Sequence, residues 1–181
     1  MGLDMYLARK IYVGANYEHN KVKGKIELTQ GDEDTPIKVR FDKVQYISEE
    51  GAYWRKSNQI HKWFVDNCQN GVDDCGEYYV TKEKLEELIT LCKKDMEYLD
   101  SLKFEYSDEK EDFFTKEKFK YKIYQDLDED KLNLTTQEGF FFGSTDYNEY
   151  YYKDLQNTVK MLENLLLEHD NRVEYYYQAS W

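Results

Sequence analysis

Tyr78-Tyr79-Val80-Thr81-Lys82-Glu83-Lys84-Leu85-Glu86-Glu87-Leu88-Ile89 is where one kind of structure gives way to another. Tyr78, Tyr79 and Val80 favour an extended backbone. Thr81 is suited to an N-cap, because its hydroxyl can accept from a free amide of the first turn. Glu83 sits where the helix dipole favours negative charge. Leu85, Leu88, Cys92, Met96 and Leu99 then recur at spacings of three and four, and Ile89 and Leu91 widen the stripe. The pattern predicts a helix over residues 81–102, preceded by a short strand.

Upstream, residues 58–68 predict a shorter helix. Ile60, Phe64 and Cys68 stack at spacings of four, and Trp63 joins them. Residues 70–76 read as the loop that stops it. Further back the period changes to two. Met5, Leu7, Arg9 and Ile11 fall on one face of a strand over residues 4–13, with Tyr6, Ala8, Lys10 and Tyr12 on the other. After a polar loop, Val22, Gly24, Ile26 and Leu28 alternate with Lys21, Lys23, Lys25 and Glu27, a half-exposed strand. Residues 31–36 are turn-formers. Ile37, Val39, Phe41 and residues 44–47 read as a third strand.

Downstream, residues 103–134 form the most polar region, read as an acidic excursion or insertion with a strand or short helix near 119–124. Residues 139–143 are a short apolar segment between glycines. Ser144, Thr145 and Asp146 read as the cap of a last helix over 147–169, with a stripe of Tyr151, Leu155, Val159 or Thr158, Leu162 and Leu166. Residues 173–178 end the chain as a strand or an extended tail, and Trp181 is expected to dock on the body. The fold class is α+β: a small N-terminal antiparallel sheet packed with two long helices and one shorter one. Residues 1–181 suit a single domain.

Composition narrows the function. Of 181 residues 18 are Tyr, and such a surface is adhesive without being greasy. The net charge is −12, and it is uneven. Through Val65 there are 11 basic and 9 acidic side chains; from Asp66 onward there are 14 and 28. Phosphate backbones need cations, so direct nucleic-acid binding by the later part is disfavoured. An acidic surface can instead steer a basic partner. The first residues lack the basic start and apolar run of a signal peptide, and no run of about 20 apolar residues is present to span a membrane. Three cysteines, odd in number and irregular in spacing, fit free thiols in a reducing cytoplasm.

No catalytic pattern stands out. His61, Cys68, Asp73, Asp74 and Cys75 lack the tight ligand pairs of structural zinc. Cys75 is flanked by Asp73, Asp74 and Glu77, which oppose a thiolate. Asp126, Asp128 and Asp130 match the start of a calcium loop, but Lys131 replaces the turn glycine and Gln137 the closing glutamate. No cofactor or metal is expected, and the chain reads as a non-enzyme. Candidate partner-binding residues are the acidic run Asp126, Asp128, Glu129 and Asp130, with Trp54, Arg55 and His61 from the aromatic and cationic segment 53–64. Gly143, Ser144 and Thr145, read as a helix start, are the alternative anion-binding site for a nucleotide.

The segments Met1-Gly2-Leu3-Asp4-Met5-Tyr6-Leu7, Tyr53-Trp54-Arg55-Lys56 with Asn58, Ile60-His61-Lys62-Trp63-Phe64, Asp73-Asp74-Cys75-Gly76, Tyr78-Tyr79-Val80 and Phe140-Phe141-Phe142-Gly143-Ser144-Thr145 resemble those of a group of small phage and prophage proteins. Tyr151-Tyr152 and Asp154-Leu155 extend the resemblance, and residues 14–50 and 103–134 depart most from it. It implies a mobile-element setting. Small acidic proteins there include inhibitors of host defence, anti-CRISPR proteins among them. The expected partner is therefore a basic nucleic-acid-binding protein of the host, such as a CRISPR nuclease of the Cas9 type. The alternatives are a sponge for a signalling nucleotide and a phage accessory protein, and a homodimer is among the expected assemblies.

Overall fold

The computed structural model describes residues 2–14, 29–30, 35–111 and 115–181. In chain order the elements begin with β1 (Asp4–Tyr12), β2 (Thr29–Gln30), β3 (Thr35–Pro36) and β4 (Tyr46–Arg55). Then come α1 (Asn58–Cys68), β5 (Tyr78–Val80) and α2 (Lys82–Asp100). The short strands β6 (Phe104–Tyr106), β7 (Lys110–Glu111), β8 (Lys118–Phe119) and β9 (Lys122–Tyr124) follow. The chain closes with α3 (Glu149–Leu167) and β10 (Val173–Ser180). The α+β expectation holds: three helices accompany a four-stranded antiparallel sheet in the order β4-β1-β10-β5.

That sheet is not purely N-terminal. The last strand, β10, lies in its middle and pairs with β1 from Asp4↔Ser180 to Ile11↔Val173. Its alternation explains the place: Val173, Tyr175, Tyr177 and Ala179 are buried, while Gln178 and Ser180 are exposed. The expected third strand also moves. Residues 37–40 form no regular element, and the strand starts at Tyr46 and continues to Arg55. Its polar centre, Ser48-Glu49-Glu50, has little strand propensity of its own, so pairing with β1 supplies the stability. A bulge between Leu7 and Ala8 accommodates Gly51, where an added Cβ would stand 3.0 Å from the Leu7 carbonyl oxygen and 3.1 Å from a Leu165 methyl. The expected strand at residues 22–28 lies outside the described residues.

The inner face of the sheet carries Met5, Leu7, Ala52, Trp54, Tyr175 and Tyr177, all buried. Phe64 of α1 stacks on Tyr177 at 3.9 Å between ring centroids. The indole Nε1 of Trp54 donates to Thr158 Oγ1 of α3 at 2.8 Å. The helices α2 and α3 pack against each other through Leu85, Leu88, Cys92 and Leu99 on one side and Leu155, Val159, Leu162 and Leu165 on the other. Leu165, not Leu166, completes the buried stripe of α3.

Thr81 caps α2 as expected, accepting from the Lys84 amide. The cap of α3 is Asn148, whose side chain accepts from the Tyr150 amide, so residues 144–146 belong to the preceding loop. That loop is fixed from α1: Asn58 Nδ2 donates to the Phe142 and Ser144 carbonyls, and Asn58 Oδ1 accepts from the Gln137 amide. The excursion is a β-hairpin, with β6 paired to β9 and β7 to β8. Over residues 103–124 it holds six acidic and six basic side chains, so it is charge-balanced, and the acidic excess starts only at Asp126.

Candidate functional site

The outer face of the sheet is lined with tyrosine. Tyr6, Tyr12, Tyr46, Tyr53, Tyr79 and Tyr176 all point away from the helices, as the two-residue period of β1 and its registers with β4 and β10 require. They meet across strands: Tyr6 with Tyr53 at 5.3 Å between centroids, Tyr12 with Tyr46 at 5.2 Å, and Tyr79 with Tyr176 at 5.7 Å. Four stay well exposed, Tyr6 at 41%, Tyr46 at 44%, Tyr53 at 37% and Tyr79 at 55%. The open face of an antiparallel sheet is ordinarily polar, and this one concentrates aromatic rings instead.

Carboxylates accompany the rings. Tyr53 donates its hydroxyl to Asp4, and Tyr176 donates to Glu174 Oε2 at 3.1 Å. Both phenols are held above their ordinary pKa, Tyr53 chiefly by its bond to Asp4 and Tyr176 chiefly by burial and then by Glu174. Lys10 lies 4.2 Å over the Tyr176 ring and donates to Glu77 Oε2 at 2.6 Å. The face thus shows how it handles a cation: one ring beneath it and one carboxylate beside it. Glu50 stands opposite Ala8 on the same face, so the carboxylates Asp4, Glu50, Glu77 and Glu174 accompany the cations Lys10 and Arg55 there.

The expected site residues divide three ways. Trp54 and His61 are core residues and cannot meet a partner at the surface. His61 Nδ1 is 2.8 Å from the Tyr177 hydroxyl and Nε2 is 3.0 Å from Asp73 Oδ1, while Phe142, Tyr177 and Trp181 wall its ring. Burial lowers the His61 pKa, although Asp73 pulls the other way. Burial likewise pushes the Tyr177 phenol well above its usual range. The ring of Trp181 is thus docked, 5.6 Å from His61.

Asp126, Asp128, Glu129 and Asp130 are all exposed, around a 3-10 turn at Glu129–Lys131. Asp128 Oδ1 accepts from the Asp130 amide, and the Asp128 amide donates to the Tyr98 hydroxyl, so the turn is seated on α2. Leu132 and Leu134 beside it are buried, and the Leu134 amide donates to buried Asp95. The acidic run is a presented surface, separate from the tyrosine face.

Arg55, Gly143 and Ser144 converge. They line one cleft of about 290 Å³ with Lys56, Gln59, Asp146, Asn148, Tyr150, Tyr151 and Asp154. Thr145 does not line it; its carbonyl accepts from Thr136 Oγ1 at 3.1 Å. Asp154 is held above its usual carboxylate pKa by burial, against the opposing bonds from Gln59 and Ser57. The anion-binding helix start expected at residues 143–145 is not there, since α3 opens four residues later. Lys56, Gln59 and Asp154 were missed because nothing local distinguishes them; only the spacing Asp154-Leu155 on the helix hints that Asp154 flanks the buried stripe.

Two of the thiols are silent. Burial raises Cys68 to about 11 and Cys92 further still, so both stay protonated at neutral pH. No helix among the described residues is long and apolar enough to cross a membrane. No family model, no curated protein and no solved structure matches this chain.

Proposed function

We propose that the chain is a non-enzymatic binding protein that sets its open sheet face on a basic surface of a host nucleic-acid enzyme, and that it acts as a phage-type inhibitor of a defence nuclease. The observation that carries this reading is the outer face itself: exposed tyrosines interleaved with carboxylates. Tyrosine is a favoured anchor of protein interfaces. A ring with a carboxylate at its edge suits the guanidinium and ammonium groups that line nucleic-acid channels. Lys10, held between Tyr176 and Glu77, is an intramolecular instance of that recognition. The exposed run Asp126 to Asp130 adds long-range attraction for the same partner.

The resemblance to phage proteins supplies the choice of target, with a CRISPR nuclease as the first to assay. Purified protein in molar excess should abolish DNA loading or cleavage by the sensitive nuclease. A set of defence nucleases that load and cut DNA unchanged at excess inhibitor would remove this function.

A further inference from the structure

Besides the sheet face, the structure carries a second feature, a cleft that shares Arg55 with that face. It lies between the end of β4, the first turn of α1, the loop at Gly143 and the first half of α3. A neighbouring hollow of about 460 Å³, lined among others by Trp54, Asn157, Lys160 and Asn164, shares Arg55 and Asp154 with it.

The cleft is built from backbone that only a tightly fixed surrounding would hold. Lys56 has φ +60° and Gly143 has φ +99°, both left-handed. The two are in contact, since a Cβ on Gly143 would stand 3.0 Å from Lys56 Cβ and from its carbonyl oxygen. Asn58 clamps the far side of the loop through the Ser144 carbonyl at 2.9 Å. Strain of this kind collects where side chains must be aimed.

Its two cations share the lining with two carboxylates, Asp146 and Asp154, and neither cation forms a close ion pair with them. The Arg55 side chain is 62% exposed, with Asp4 no nearer than 3.8 Å. The Lys56 ammonium has no hydrogen-bond or ion-pair partner among the described residues. Asp154, in the same lining, accepts from Gln59 Nε2 through Oδ2 at 3.1 Å, which puts a carboxylate and a primary amide side by side. The Tyr150 ring is half exposed at the rim. An anionic group suits Arg55 and Lys56, and a planar group bearing N–H donors suits Asp154. A cleft of about 290 Å³ lies at the small end of ligand sites.

We propose that this cleft binds a guanine nucleotide, with its phosphate on Arg55 and Lys56 and the N–H edge of its base on Asp154 beside Gln59. A carboxylate accepts from the adjacent ring and amino N–H groups of guanine, an edge that adenine and cytosine do not offer. Tyr150 supplies a stacking surface, and aromatic rings stack on any base.

Titration calorimetry on the full chain tests this with GMP, CMP, guanosine and inorganic phosphate as the probes. GMP should bind, and the other three should bind at least tenfold more weakly. Arg55→Ala, at an exposed position, should cost GMP at least tenfold in affinity while leaving the thermal midpoint unchanged. Lys56→Asn, which tolerates the left-handed backbone, should do the same. Asp154→Asn should erase the preference for GMP over CMP. Absence of heat with millimolar GMP, phosphate binding as tightly as GMP, or Arg55→Ala binding like the parent protein would each overturn the assignment.

Discussion

The ammonium of Lys10 sits 4.2 Å above the ring of Tyr176, on the outer face of a sheet whose inner face is the protein core. The same face carries further rings at Tyr6, Tyr53 and Tyr79 and further carboxylates at Asp4, Glu50 and Glu174.

If these rings anchor a partner, truncating them removes affinity without harming the fold. Tyr6→Ala and Tyr79→Ala should each weaken partner binding by about 2 kcal/mol, near 30-fold. Phenylalanine at either position keeps the ring and should restore most of it. Surface plasmon resonance against the partner, with circular dichroism to verify folding, measures both.

The acidic run should act at a distance. Asp126→Lys, Glu129→Lys and Asp130→Lys together spare Asp128, the residue that caps the turn. The triple change should slow association several-fold at low salt, flatten the dependence on salt, and leave dissociation nearly unchanged. Stopped-flow association at two ionic strengths reads this directly.

Asp95 is a structural hub. Its carboxylate accepts from the Asn133 amide at 2.9 Å, the Asn133 side chain at 2.6 Å, the Leu134 amide at 2.9 Å and the Tyr151 hydroxyl at 3.1 Å. Asp95→Ala leaves buried donors unpaired, each costing about 1–3 kcal/mol. Urea unfolding should show a loss of about 3 kcal/mol or more. Tyr151→Phe removes one donor and should cost about 1 kcal/mol.

His61 sets a pH dependence whose sign follows from linkage. Its folded pKa is lowered from 6.5 by burial, so the unfolded chain takes up the proton first. The stabilisation is full above 6.5 and is lost as pH falls from there through the folded pKa. The slope cannot exceed about 1.4 kcal/mol per pH unit. Urea midpoints at neutral and mildly acidic pH should differ in the parent protein and differ less in His61→Gln.

Much of the fold was legible where local and tertiary signals agree. The helix Asn58–Cys68, the strand Tyr78–Val80 and the Thr81 cap all follow from spacing and side-chain chemistry. The outward set of β1 was also readable from its alternation, and it became the tyrosine face. Other features depend on contacts far apart in the chain. Residues 144–148 offer Ser, Thr, Asp and Asn in quick succession, and it is Asn58 on α1, gripping the Ser144 carbonyl, that goes with the helix opening at Glu149. The central place of β10 rests on its pairing with β1 and β5. Trp54 and His61 looked like surface anchors because aromatics and cations alternate around them, yet Trp54 falls on the inner face of β4 and His61 on α1, which buries most of its circumference.

The most direct test is retention of the partner on the immobilised protein, measured in parallel with a Tyr6→Ala, Tyr79→Ala, Tyr176→Ala variant of unchanged thermal midpoint. The account predicts that a basic nucleic-acid enzyme from nuclease-treated lysate stays on the parent protein, leaves it at moderate salt, and fails to bind the variant. Equal retention by the two proteins, or retention of no basic enzyme by either, would contradict it.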